Sequence, residues 1–171
     1  MGLSNQFLDQ AGHSISPYYE TTLPCDLLLK EYKPKQKPGL EKTICFVNTA
    51  ISTQSFGHFQ CITFLWAKKK VILFDSLALE LADPNVKLFI EKYLKMHPKF
   101  QLQLSPYPIQ DEKSFFCGIY VLSWLASQNR TCNETLDSFY KHFYKRKSRL
   151  LANDERTLSY LLNRIANDPE I

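Results

Sequence analysis

Four stretches of the chain combine apolar, β-branched and aromatic residues in the way that is typical of β-strands. They are TICFVNTA (43–50), HFQCITFLW (58–66), VILFDSL (71–77) and KFQLQLS (99–105). Between the second and the third lies AKKK, a polar tetrapeptide that suits the tip of a β-hairpin. The pattern therefore predicts a sheet in which these two strands are antiparallel neighbours.

Apolar residues at helical spacing predict helices between and after these strands. Asp83 is a favourable cap, and Pro84 stands at the first helical position behind it. The apolar residues that follow at helical spacing are Val86, Phe89, Ile90 and Tyr93. Asn133 is predicted to cap a later helix, and Asn153 or Asp154 is predicted to cap the last one.

The rest of the chain shows no internal repeat and no domain boundary. Residues 1–24 have weak patterning, and KPKQKPG (33–39) is predicted to be a loop because two prolines and a glycine interrupt it. A chain of 171 residues is long enough to bury the core of one domain. We therefore predict a single domain over residues 1–171, of the α+β class, in which helices pack on a mostly antiparallel central sheet.

The composition excludes several classes of protein. It is 44% hydrophobic and 22% charged, as in ordinary globular proteins. No apolar run approaches the roughly 18–20 residues that a membrane span needs. The N-terminus lacks the cationic and apolar segments of a secretory signal. We expect an intracellular, monomeric protein without a membrane partner.

The five cysteines, at positions 25, 45, 61, 117 and 132, form no CxxC pair. Their odd number argues against a scaffold held by disulfides. A zinc site made of Cys25, Cys45, Cys61 and His58 is the one metal hypothesis that these residue types suggest. No two of these ligands have the usual close spacing, which argues against it. We therefore expect no metal and no cofactor that the chemistry requires.

The net charge of +4 is unevenly distributed. Basic residues cluster in KEYKPKQK (30–37), KKK (68–70) and KHFYKRKSR (141–149). Such clusters suit a polyanion such as DNA, although solvated surface lysines are the more common explanation. Both interpretations stay open.

The segment CGIYVLSWLAS (117–127) is apolar on nearly every side, which predicts a helix buried in the middle of the fold. Cys117 would stand at its N-terminus, where the partial positive charge of unpaired N–H groups lowers the pKa of a thiol. Gly118 adds a backbone N–H that no side chain covers. On periodicity alone, a buried core thiol is still the favoured interpretation of Cys117.

A nucleophilic thiol needs a base and a group that orients this base. Among the four histidines, His58 follows Gly57 at the mouth of a predicted strand, where it can face a cleft. Asp75 ends the apolar run VILF, and the hairpin places it opposite residues 61–62, about 10 Å from His58 along the strand. Gln110 is a candidate donor to the oxyanion that forms when a thiolate adds to a carbonyl. Each of these residues alone also has an ordinary surface or loop explanation.

The ordered set His58, Asp75, Gln110 and Cys117 resembles that of the adenovirus-type cysteine proteases, the adenain family. It is similar, more distantly, to ubiquitin-like-specific proteases of the same clan. The interval of 17 residues from His58 to Asp75 and that of seven from Gln110 to Cys117 match the adenain pattern. The stretches ICFVNTA, GHFQCITFLW, VILFDSL and CGIYVLSWLAS are similar to those of the family.

This resemblance covers roughly residues 44–80 and 105–127. It implies a papain-like fold with its elements in permuted order, and hydrolysis of peptide bonds through an acyl-enzyme. The implied substrates are capsid or core precursor proteins of a DNA virus, processed in the host nucleus or the virion. DNA and a viral peptide are the implied candidate activators. The implied roles are Cys117 as nucleophile, His58 as base, Asp75 as orienting acid, and Gln110 with the Cys117 backbone N–H as oxyanion donors.

Three departures from the family pattern keep other functions open. Phe59 stands where the family usually has tryptophan, which keeps an aromatic wall but removes the indole donor. The family acid is glutamate in adenain, whereas Asp75 followed by Ser-Leu here is more similar to the ubiquitin-like-specific relatives. HPKFQLQL (97–104) lacks the cysteine to which the activating peptide of adenain is bonded. The alternatives are therefore a deubiquitinase or ubiquitin-like-specific protease, and a non-catalytic DNA-associated virion protein on the same fold.

Overall fold

The computed structural model describes residues 2–53 and 57–171. The helices are α1 (Asn5–Ile15), α2 (Cys25–Glu31), α3 (Pro84–Met96), α4 (Cys117–Ser127), α5 (Leu136–Tyr140) and α6 (Ala152–Asn167), with a 3₁₀ turn at Lys147–Arg149. The strands are β1 (Tyr19–Pro24), β2 (Lys42–Asn48), β3 (Phe59–Leu65), β4 (Lys70–Phe74) and β5 (Gln101–Leu104).

The five strands form one sheet in the order in which they occur in the chain, β1 to β5. The three central strands are antiparallel, and each edge strand is parallel to its neighbour. The predicted hairpin is confirmed, because Leu65 pairs with Lys70 across a turn over residues 66–69. The structure also confirms the predicted class of helices packed on a central sheet, with the parallel pairing confined to the two edges.

A hydrophobic core lies on each face of this sheet because successive strand residues point to opposite sides. In β2, Ile44 and Phe46 belong to one core, whereas Cys45 and Val47 belong to the other. The first core is completed by α1, α4, α5 and α6, and the second by α2 and α3. Helix α4 is buried along nearly its whole length, as its apolar composition predicts. This places its first residue, Cys117, against the sheet.

The first 31 residues are more regular than their sequence suggests. Helix α1, strand β1 and helix α2 were not predicted, because their apolar residues are few and irregularly spaced. The two later helix caps also differ from the prediction. The side chain of Thr135, rather than Asn133, caps α5 by accepting from the Ser138 N–H. Helix α6 begins at Ala152, so that Asn153 and Asp154 lie within its first turn.

Over residues 2–53 and 57–171, none of the helices combines the length and the apolar composition that a membrane span requires.

Candidate active site

The short segment before β3 holds His58 by its backbone. The His58 N–H donates to Thr49 Oγ1 at 3.0 Å, and the Thr49 N–H donates to the His58 carbonyl at 2.8 Å. Gly57 is required here by space, since a Cβ at this position would overlap Asn48 Oδ1 and the backbone of Ala50. The glycine therefore lets the chain turn tightly into β3 and leaves the imidazole at the mouth of the strand.

Asp75 follows the last residue of β4 and is buried, with 1% of its surface exposed. Its Oδ1 accepts from His58 Nε2 at 2.5 Å and from the Leu77 N–H at 2.9 Å. Its Oδ2 accepts from Gln60 Nε2 at 2.8 Å and from the Leu79 N–H at 3.1 Å. Four donors thus hold the carboxylate in one orientation and satisfy both of its oxygens.

The strand register removes the gap of about 10 Å that the sequence suggests between the acid and the histidine. Cys61 pairs with Phe74, so that Asp75 continues opposite Gln60 rather than opposite residues 61–62. His58 is then two residues away along the neighbouring strand, and its side chain reaches the carboxylate directly. The predicted opposition was therefore wrong by at least one residue.

Cys117 is the first residue of α4 and has 8% of its surface exposed. Its side chain interacts with that of His58 and with the backbone N–H groups of Phe59 and Gly118. Because His58 Nε2 is directed at Asp75, the ring nitrogen left for the sulfur is Nδ1. The structure therefore brings the thiol, the imidazole and the carboxylate into one row.

The electrostatics of this row favour a thiolate beside an imidazolium. Burial raises the pKa of the Cys117 thiol, but the hydrogen bond and charge of His58, together with the two N–H donors, lower it below its ordinary value. Burial lowers the pKa of His58, but its bonds with Asp75 and Cys117 raise it to about 9. The pKa of Asp75 is lowered against the effect of burial, chiefly by its hydrogen bond with His58. Each partner thus stabilises the charge of the next.

Gln110 is buried beside the same strand end. Its Oε1 accepts from Ser76 Oγ at 2.5 Å, and its Nε2 donates to the Ser114 carbonyl at 3.0 Å. The backbone N–H of Gln110 also donates to the Ser76 carbonyl at 3.0 Å. A glutamine amide has two N–H bonds, so one of them keeps no partner among these contacts.

Two residues beside the row differ from what sequence reasoning suggested. The ring of Phe59 is buried and belongs to the core on the α4 side of the sheet, so it forms no wall of an open groove. Gln60 was missed, although a glutamine inside the apolar run FQCITF is a signal of a buried hydrogen bond. Its Oε1 has no hydrogen-bond partner within the described part of the chain.

Over residues 2–53 and 57–171, no three His, Cys, Asp or Glu side chains are grouped so that they could hold a metal ion. The candidate zinc ligands Cys25, Cys45, Cys61 and His58 form no such group. Cys25, Cys45 and Cys61 are free thiols buried in the protein.

The fold defined by this sheet and by the helix that begins with Cys117 is that of the Ulp1-like, papain-like cysteine proteases. The predicted permuted papain-like fold is therefore confirmed. No protein-family model matches the chain, and no curated protein matches it.

Three solved structures illustrate the likeness. The SUMO protease Ulp1, with its catalytic cysteine oxidised to a sulfinic acid, is 17% identical, with a TM-score of 0.50 over 96% of this chain and 79% of Ulp1. The ASFV protease is 15% identical, with a TM-score of 0.60 over 91% of this chain, which spans only 66% of that protease. ChlaDub1 from Chlamydia trachomatis is 11% identical, with a TM-score of 0.51 over 99% of this chain and 83% of ChlaDub1. These likenesses establish the fold, and the resemblance to the adenain family itself stays a prediction.

Proposed function

We propose that the protein is a cysteine endopeptidase that hydrolyses peptide bonds through an acyl-enzyme. The observation that carries this proposal is the row in which His58 lies between the buried carboxylate of Asp75 and the sulfur of Cys117. A nucleophile, a base in contact with it and an acid that orients the base are the parts that covalent acyl transfer needs.

The proposed reaction begins with transfer of the Cys117 proton to His58 Nδ1. The thiolate attacks the substrate carbonyl, and the proton on Nδ1 later passes to the leaving amine. Water then hydrolyses the thioester and regenerates the thiol. Asp75 accepts only, so His58 Nε2 keeps its proton throughout, and the ring cannot turn away from the sulfur without losing this bond.

The proposed oxyanion donors are the Gln110 side chain and the Cys117 backbone N–H. The free N–H of Gln110 Nε2 is suited to this role because its partner bond to the Ser114 carbonyl fixes the plane of the amide. One donor of this kind typically contributes about 2.7–4 kcal/mol to the stability of the transition state.

For the substrates, we propose precursor proteins of a virus or virus-like element. The ASFV protease is the neighbour with the highest TM-score of the three, which supports this choice. The second candidate is a protease for ubiquitin or a ubiquitin-like modifier. It is supported by the fold shared with the SUMO protease Ulp1 and by Asp75 in place of the glutamate of adenain. A non-catalytic DNA-associated protein is the third candidate, supported by the three basic clusters.

A substrate panel tests the choice between the first two candidates. Purified protein is incubated with Gly-rich peptides of the viral-precursor type and with ubiquitin and SUMO conjugates, and the products are identified by mass spectrometry. We expect cleavage within the peptides. Selective cleavage of the conjugates would instead establish the modifier protease, and parallel reactions with added DNA would show whether DNA activates the enzyme.

Alkylation of Cys117 by iodoacetamide tests whether the row holds a reactive thiolate at all. Because the pKa of Cys117 is lowered, its alkylation rate should reach half its maximum below pH 9.0, the ordinary value. His58→Ala removes the imidazolium, so the midpoint should rise, and each unit by which the midpoint lies above pH 7 should slow alkylation at pH 7 about tenfold. Peptide mapping gives the rate at each cysteine, with the half-buried Cys132 as the internal reference. If Cys117 reacts no faster than Cys132 and the His58 variant changes nothing, the DNA-associated protein becomes the better explanation.

A further inference from the structure

Ser114 connects the amide of Gln110, a proposed oxyanion donor, with the start of α4, where Cys117 stands. Its carbonyl accepts from Gln110 Nε2 at 3.0 Å, and its Oγ accepts from the Phe116 N–H at 3.1 Å, one residue before Cys117. The segment between β5 and α4 contains no helix or strand, so its shape depends on such side-chain bonds. Any shift of Ser114 therefore moves the Gln110 amide relative to the sulfur.

Asp154, on the first turn of α6, holds Ser114 from outside the row. The Ser114 hydroxyl lies 2.9 Å and 2.7 Å from the two carboxylate oxygens of Asp154. The hydroxyl of Tyr120, inside α4, donates to Asp154 Oδ1 at 3.0 Å. Asp154 thus ties the loop that carries Gln110 to the helix that carries Cys117.

We propose that Asp154 and Ser114 position the oxyanion donor, with Asp154 acting through Ser114 on the Gln110 amide. This inference rests on the function proposed above. Gln110 has three rotatable side-chain bonds, and its amide is held at one end by Ser76 and at the other by the Ser114 carbonyl. When the second anchor moves, the free N–H loses its fixed direction. Neither Asp154 nor Ser114 touches the reacting atoms, so both are positioning residues.

Two reagents for the same sulfur separate this role from a general structural one. A peptide aldehyde ending in glycinal adds to the thiolate, which forms a C–S bond and leaves the negative charge on the former carbonyl oxygen, where the oxyanion donors bind it. Iodoacetamide is attacked at carbon and loses iodide, so that no oxyanion forms. A residue that positions Gln110 should therefore affect the first reaction and not the second.

We expect Asp154→Ala and Ser114→Ala to weaken inhibition by the aldehyde about tenfold or more, since removing an oxyanion donor outright costs about 10²–10³ in kcat. The kcat for the best peptide of the panel should fall about 10–100-fold, with KM and the iodoacetamide rate within about twofold of wild type. Ser114→Thr keeps the hydroxyl and should retain most of the activity. Glu155→Ala is the matched control, because it removes the neighbouring carboxylate from the same first turn of α6.

A double-mutant cycle completes the test. Once Gln110→Ala has removed the donor, Asp154→Ala should add little further loss, since both act through one interaction. Equal losses in both backgrounds would overturn the inference, as would a parallel fall in the aldehyde and iodoacetamide reactions or no change in either. If the wild-type protein neither binds the aldehyde nor alkylates rapidly, the proposed protease function itself fails and this inference fails with it.

Discussion

Replacing Cys117 by alanine should abolish cleavage of every substrate in the panel, with turnover falling about 10⁴–10⁶-fold. The sulfur is the only group in the row that can form the acyl-enzyme, and removing a nucleophile of this kind leaves only the effects of substrate binding and the oxyanion donors. The measurement is the rate of product formation at saturating substrate, with the thermal unfolding temperature recorded for each variant.

Two further variants make this result specific. Cys117→Ser preserves the shape of the site but should be nearly as inactive. The paired imidazolium can lower the pKa of a thiol far enough to give a thiolate, but it cannot lower the higher pKa of an alcohol far enough to give an alkoxide. Cys132→Ala removes a thiol that lies outside the row, beside the Tyr160 hydroxyl, and should leave cleavage unchanged. Equal processing by the wild-type protein and Cys117→Ala would remove this sulfur from the mechanism.

The centre of the fold could be predicted from the sequence because its pattern is strong there. Strands β2 to β4 are mostly apolar and buried almost throughout, and the polar connection between β3 and β4 fixes the last two as a hairpin. The four candidate site residues were predicted mainly from their order and spacing in the chain, because hydrophobic periodicity alone does not distinguish them from ordinary core, surface or loop residues. The structure places His58, Asp75 and Cys117 in contact, whereas their catalytic roles stay a prediction.

The N-terminal elements could not be predicted because tertiary contacts, rather than local pattern, stabilise them. Strand β1 has one fully buried residue, Tyr19, and the five that follow are only half-buried, so no alternation is visible in the sequence. Helix α1 contains Gly12, which weakens helix propensity. The ring of Tyr19 lies where a Cβ at Gly12 would stand, so the glycine permits close packing of α1 on β1.

The residues that support the site were missed for a different reason. Ser76, Ser114 and Asp154 are ordinary polar residues in the sequence, and they come together only through contacts between segments up to 40 positions apart. Asp154 in particular was predicted as a possible helix cap, because acidic residues are common at helix starts. Its contact with Ser114 depends on how α6 packs against α4, which no local pattern encodes.

The second large effect is expected for Asp75→Ala, which should lower kcat about 10³–10⁴-fold, in the range measured for the acid of serine triads. Without the carboxylate, only Cys117 opposes the effect of burial on the pKa of His58, which falls from about 9. The imidazolium is then no longer favoured, and the Cys117 thiolate loses its partner. The iodoacetamide profile should therefore move to higher pH together with the loss of cleavage.

The stability of this variant should depend on pH in a defined way. The lowered pKa of Asp75 contributes stability that is present above pH 3.8 and is lost as the pH falls. The raised pKa of His58 contributes stability that is present below pH 6.5 and is lost as the pH rises through about 9. The difference in unfolding free energy between wild type and Asp75→Ala should thus be greatest between pH 3.8 and 6.5, at about 1.5–3 kcal/mol. Urea unfolding across the pH range measures it.

Asp75→Asn is the informative comparison because the site can adapt to it. An asparagine whose oxygen faces His58 Nε2 keeps the orienting bond and turns its NH₂ toward Gln60 and the Leu79 N–H. Gln60 can then flip its amide and accept with Oε1, the atom that now has no partner within the described chain, while the Leu79 N–H and the Gln60 NH₂ both lose Asp75 as their acceptor. Asp75→Asn should therefore retain more activity than Asp75→Ala, and Gln60→Leu should remove that advantage. Equal activity of the two Asp75 variants would contradict the orienting role, because only one of them keeps an acceptor for the imidazole.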